Sequence, residues 1–128
     1  MKENPLIEDN EDIEEYDVNR YFNANFINSN VHSCGPAFIA SQSPNSYSIS
    51  SFWQMVWESN VKLITMLCPL GTEEKEESIE YWKTGPLSEK VRERVTVKHL
   101  TESHPVTGVV KRQIVITDGV EERILTHL

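Results

Sequence analysis

A helix signal set between two apolar strand signals constrains this chain more than any other feature. Phe52, Met55 and Val56 fall at i, i+3 and i+4, and Trp53 and Trp57 stand four apart, so a helix from about Phe52 to Ser59 would carry one apolar face. Ser50 or Ser51 is the expected cap, because a hydroxyl just before the apolar run can accept from a free backbone N–H. Ala37 to Ser41 reads as a strand before the helix. Val61 to Leu67 reads as one after it, apolar except at Lys62 and Thr65, which predicts a central strand buried on both faces. Stripes of this kind are nearly always core, so the two tryptophans are expected to fix the helix on a sheet rather than to form a ligand cage.

On either side the pattern is of β type. Phe22, Ala24 and Phe26 alternate with Asn23 and Asn25 as in a half-buried strand, and the Ser/Asn-rich stretch ending Gly35-Pro36 reads as the loop of a hairpin to Ala37–Ser41. Beyond Trp82 come Val91, Val95 and Val97, then Val109 to Ile116, then Val120 to Leu125. Ser103-His104-Pro105 and Gly108 are expected to separate the first two, and Asp118-Gly119 is a strong hairpin signal between the last two. The fold class is therefore α+β: a twisted mixed sheet, one early packed helix and an antiparallel meander closing the chain. Residues 1–19 are dense in Asp and Glu with few apolar anchors, which predicts a solvated, mobile segment ahead of one ordered domain over residues 20–128.

The residues on these elements resemble a known family. Phe38-Ile39-Ala40-Ser41-Gln42-Ser43-Pro44 followed by Phe52-Trp53-Gln54-Met55-Val56-Trp57-Glu58 resembles the F-I-A-T-Q-G-P and F-W-x-M-V-W-E pair of cysteine-based protein-tyrosine phosphatases. Tyr21-Phe22-Asn23-Ala24-Asn25-Phe26-Ile27 resembles that family's D-Y-I-N-A-N-Y-I stretch, and Glu80-Tyr81-Trp82 its Q-Y-W element. The resemblance covers about Arg20 to Leu128 and is to the N-terminal half of the domain. It implies structural motif positions at Tyr21, Asn23, Ala24, Gln42, Pro44, Trp53, Trp57, Tyr81 and Trp82, and phosphotyrosine proteins as substrates of the parent domain. Val18-Asn19-Arg20-Tyr21 is locally similar to the family's earlier K-N-R-Y loop. Tyr21 lies too close to Phe38 for that loop, and its spacing suits the D-Y-I-N-A tyrosine.

The family's chemistry needs a thiolate at the base of a loop whose backbone N–H groups and arginine hold phosphate. Cys34 and Cys68 are the two cysteines, and the residues six places on are Ala40 and Glu74, so neither begins a Cys-x5-Arg loop. The resemblance places the general-acid W-P-D loop beyond Leu128. The 128 residues are thus expected to be inactive by themselves, with no catalytic or substrate-binding residue assigned. A noncatalytic interaction module that kept the scaffold and lost the site is the alternative reading. Counting back from Tyr81-Trp82, Glu77 and Ser78 stand where the family has lysine and cysteine, and Ser43 stands where Q-G-P has glycine. The Lys-to-Glu change reverses charge near the phosphate approach and disfavours an anionic substrate.

Other function classes are disfavoured by composition. A formal net charge of −8 opposes binding to nucleic acid and to anionic membranes, both of which rest on clustered Lys and Arg. His32, His99, His104 and His127 lack metal-ligand spacing, and the five glycines form no phosphate-cradling motif, so neither a metal nor a cofactor is expected. Two cysteines and the lack of a long apolar run predict a cytoplasmic protein, or the cytoplasmic part of a receptor-type parent.

Overall fold

A computed structural model describes residues 22–27, 38–71, 78–83 and 95–128. The expected N-terminal segment, Tyr21, Glu77 and the Val91 strand signal lie outside these residues. Strands β1 (Ala24–Ile27) and β2 (Phe38–Ser41) pair antiparallel, with Ala24 opposite Ser41 and Ile27 opposite Phe38. The Gln42 N–H donates to the Asn23 carbonyl and carries this hairpin one step further. The antiparallel pairing is as expected, but Phe26 is 72% exposed, so the alternation does not mark a buried face along the whole strand.

Helix α1 (Ile49–Glu58) starts one turn earlier than expected. The serines at 50 and 51 lie inside it, and the start is organised by Asn45. The Asn45 side-chain carbonyl accepts from the N–H groups of Tyr47 and Ser48, while the Ser48 hydroxyl accepts from the Asn45 N–H. The two residues satisfy each other's free donors in the manner of a capping box. At the other end Asn60 adopts φ 51, its N–H donates to the Trp57 carbonyl, and the Val61 N–H reaches back to Val56. This is a Schellman ending, which turns the chain sharply into the next strand. Ile49, Phe52, Trp53 and Val56 are buried, the i, i+3, i+4, i+7 stripe of an amphipathic helix.

The main sheet has the order β3-β6-β5-β4, where β3 is Leu63–Ile64, β4 Thr96–Val106, β5 Val109–Thr117 and β6 Glu122–His127. β4, β5 and β6 form the expected antiparallel meander, and β3 joins β6 in parallel, so the sheet is mixed. Two expectations need correction. The Val61–Leu67 run is an edge strand and not a central one: among the described residues it pairs with β6 alone, and Leu63 and Leu67 are 54% and 91% exposed. Apolar composition marks what can be buried, but burial on the second face and second edge requires a neighbour.

Ser103-His104-Pro105 does not end a strand. β4 continues through it, with register shifts between His99 and Thr101 and between Ser103 and Val106, and such bulges let a strand pass a proline that has no N–H to give. The turn comes at Thr107-Gly108, where Gly108 has φ 81. The Asp118-Gly119 signal marks a real hairpin, with Thr117 opposite Glu122 across the loop. The Asp118 carboxylate accepts from the N–H groups of Val120 and Glu121.

Alternation along the strands sends Val97, Ile114, Ile116, Leu125 and His127 to the face that meets the helix stripe, together with Tyr81, Trp82 and Val95. The opposite face is unevenly covered: Val115 is buried there, while Ile124 is 59% exposed beside Leu63. Ile114→Ala is expected to cost about 2–5 kcal/mol by leaving a cavity among fully buried neighbours. Ile124→Ala is expected to stay within about 0.5 kcal/mol. Urea unfolding of the two variants checks this assignment of faces, and equal losses would contradict it.

Candidate functional site

The residues singled out by the sequence motifs gather in two places, with Trp57 at the rim of the second. Asn23, Ala24, Gln42 and Pro44 lie along the hairpin and its exit. Asn23 acts there through its carbonyl, Ala24 pairs with Ser41, and Pro44 is fully buried just before the Asn45 cap. Trp53, Tyr81 and Trp82 form the second group in the core. Trp57, half-buried, packs at the rim of that core, with the Arg123 guanidinium 3.8 Å over its ring and Arg123 Nη1 donating to its carbonyl at 3.0 Å. That cation meets the carbonyl end of the helix, where the helix dipole favours positive charge.

The core group is built around Tyr81. Its carbonyl accepts the Trp53 indole N–H at 3.1 Å, its ring meets Phe52 edge-on at 5.0 Å and Trp82 at 5.1 Å, and its hydroxyl lies 2.8 Å from His127 Nε2. Trp82 stacks obliquely on His127 at 4.8 Å and carries the Arg112 guanidinium 4.2 Å from its ring centroid. Arg112 Nη1 sits 3.5 Å from His127 Nδ1, and Arg112 Nε donates to the Glu102 carboxylate at 2.9 Å. A guanidinium can only donate, so His127 Nδ1 is the acceptor and Nε2 carries the proton toward the Tyr81 hydroxyl.

His127 escaped sequence reasoning, which weighed the histidines only as metal ligands. The available signal was its place two residues after Leu125 on one face of β6. Burial first, then the charges of Arg112 and His99, pull its pKa down to about 4. Burial pushes the Tyr81 hydroxyl above its ordinary value, Cys68 adds to the rise, and Arg112 opposes it. With the histidine held neutral and the phenol held protonated near neutral pH, the pair is suited to holding structure rather than to proton transfer.

Two departures from the motif pattern meet in space. Ser43 Oγ and Ser78 Oγ are 2.8 Å apart, joining the exit of β2 to the start of the 78–83 segment. Ser78 is buried, so each hydroxyl supplies the partner that the other needs. Among the described residues no group of three or more His, Cys, Asp or Glu could hold a metal, and no helix is long and apolar enough to cross a membrane.

A meander flanked by a two-tryptophan helix and an aromatic Tyr-Trp segment is the architecture of the front part of a tyrosine-phosphatase-type catalytic domain. The protein-tyrosine phosphatase family model matches residues 3–128, and the chain belongs to that family. It is 36% identical over 94 residues to tyrosine-protein phosphatase non-receptor type 7 of Rattus norvegicus, covering 66% of this chain and 26% of that protein. Over 47 residues it is 49% identical to receptor-type tyrosine-protein phosphatase-like N of Homo sapiens, covering 37% of this chain and 5% of that protein. The solved catalytic domain of human protein tyrosine phosphatase non-receptor type 18 superposes with a TM-score of 0.66 at 25% identity, over 84% of this chain and 37% of that one. The chain thus spans about a quarter of the first relative and under two-fifths of the solved domain.

In a double-mutant cycle with Ser43→Ala and Ser78→Ala, each single variant is expected to lose stability by orphaning a hydroxyl, and the double variant to lose less than their sum. The expected coupling is about 1 kcal/mol by chemical denaturation. Additive losses would mean that the two hydroxyls do not bond in solution.

Proposed function

We propose that this chain is the N-terminal portion of a protein-tyrosine phosphatase domain and that these 128 residues are catalytically inert. The observation that carries the reading is the pairing of a family-matched scaffold with a sequence in which neither Cys34 nor Cys68 is followed at the sixth place by arginine. In the whole domain, a cysteine thiolate would attack the phosphorus of a phosphotyrosine and an acid would protonate the departing phenol. Water would then hydrolyse the cysteinyl-phosphate. The nucleophile, the arginine and the acid of that sequence have no counterpart here. Asn23, Gln42, Pro44, Trp53, Trp57, Tyr81 and Trp82 are framework residues, as are Ala24 and, outside the described residues, Tyr21.

Phosphotyrosine proteins are the proposed substrates of the parent domain. A solved complex of PTPN18 with HER2 phosphor-peptides, superposing at a TM-score of 0.69 and 27% identity, supports that substrate class. A cytoplasmic setting, alone or as part of a receptor-type parent, fits the two kinds of relative.

A second reading, a noncatalytic interaction module, draws on the Ser43–Ser78 bond: positions that differ from the family pattern are mutually satisfied rather than left broken. It predicts a monodisperse, cooperatively unfolding chain. The inert-fragment reading predicts association through β3, which among the described residues pairs with β6 alone, and through exposed Leu63 and Ile124. Light scattering alongside thermal unfolding separates the two. Both predict no turnover of p-nitrophenyl phosphate by the pure chain, and turnover abolished by Cys68→Ser would overturn both.

A further inference from the structure

We propose that the buried Tyr81–His127–Arg112 cluster is an acid-sensitive latch that pins the C-terminal end of β6 to the Tyr81-Trp82 segment. The geometry is that of a clasp between pieces far apart in sequence. His127 is fully buried on β6, and it bridges the Tyr81 hydroxyl at 2.8 Å on one side and Arg112 of β5 at 3.5 Å on the other. Trp82 closes the third side at 4.8 Å. The end of β6 is otherwise held by backbone bonds to the chain around β3, from Thr126 to Lys62, Leu128 to Ile64 and Met66 to Leu128, and by β5 as far as Arg112 opposite His127; the clasp adds its tie to the Tyr81-Trp82 segment.

The clasp works only with a neutral imidazole. A second proton would go to Nδ1, the atom that now accepts from Arg112, and would set two positive N–H groups against each other in a site without solvent. The charged groups around His127 do not relieve this. From β4, His99 adds to the opposition, and Glu102 is already engaged by Arg112 at 2.9 Å. Tyr81, held protonated by burial with Cys68 nearby, offers no negative charge. Protonation therefore favours a state in which the imidazole has left the pocket.

The sign follows from linkage. The folded-state pKa, about 4, lies below the ordinary 6.5, so the latch is at full strength above pH 6.5 and weakens as pH falls toward 4. Between pH 7 and 4.5 the opening equilibrium is expected to rise on the order of fiftyfold. Carboxylates titrate at the lower end of that window, so the variant and not the pH profile alone is decisive.

The test is amide hydrogen exchange on the full 128-residue chain at pH values from 7 to 4.5, corrected for intrinsic exchange, with His127→Gln and His99→Asn compared. In the parent chain, protection at Leu125–Leu128 and at Tyr81-Trp82 should fall together with pH. In His127→Gln, whose amide can still donate to the Tyr81 hydroxyl without titrating, that fall should vanish, and in His99→Asn it should persist. A His127→Gln chain that keeps the parent's pH response overturns the latch. Should His127→Gln not fold, the His127 ring resonances of the parent chain decide by NMR. Titration near 4 supports the latch. Titration at the ordinary 6.5, whether from an open cluster or an unfolded chain, overturns it.

Discussion

Burial of Trp53 against Tyr81 is the contact on which the remaining structure depends. Three separate pieces of chain, the helix, the 78–83 segment and the meander, have no backbone ladder in common, and they meet where Trp53 donates its indole N–H to the Tyr81 carbonyl. A tryptophan buried to this extent removes about 150–250 Å² from water, worth roughly 4–6 kcal/mol before entropy costs. The hydrogen bond adds only about 1 kcal/mol. Its larger role is selective, because an indole N–H buried without an acceptor would be penalised in any other packing. The apolar area drives the association, and the N–H fixes which geometry is kept.

From that junction the ordering spreads along aromatic edges. Phe22 and Phe52 bring the hairpin to the helix, and Tyr81, Trp82 and His127 bring the loop to the sheet. Arg112 and Arg123 close the two ends of this layer, each laying a guanidinium on a tryptophan and each tied to a carboxylate, Glu102 or Glu121. The charged groups sit at the rim, where water still reaches them, and the neutral aromatic groups fill the middle. Such a layer is built to hold its shape.

Much of the framework was legible in the sequence. The helix stripe, the first hairpin and the closing meander follow from short-range periodicity and turn chemistry, which act within a few residues. The family motifs were legible for the same reason, since they lie on those elements. The errors share a different origin. Asn45 was overlooked as the helix start because a capping box depends on two residues satisfying each other, and several serines nearby were chemically eligible. Pro105 marks no break, because a bulge spares the ladder bond that its missing N–H cannot make.

The sequence by itself determined local conformation and the lack of a Cys-x5-Arg loop, because both are properties of neighbouring residues along the chain. Only the tertiary structure decided that the Val61–Leu67 run pairs on one side alone among the described residues, that Ser43 and Ser78 satisfy each other, and that His127 is sealed between a tyrosine, a tryptophan and an arginine. Each of those depends on contacts between residues dozens of positions apart. Exposure, hydrogen-bond partner and proton affinity are set by what the fold brings alongside a side chain, and no pattern read along one strand contains its neighbours across the sheet.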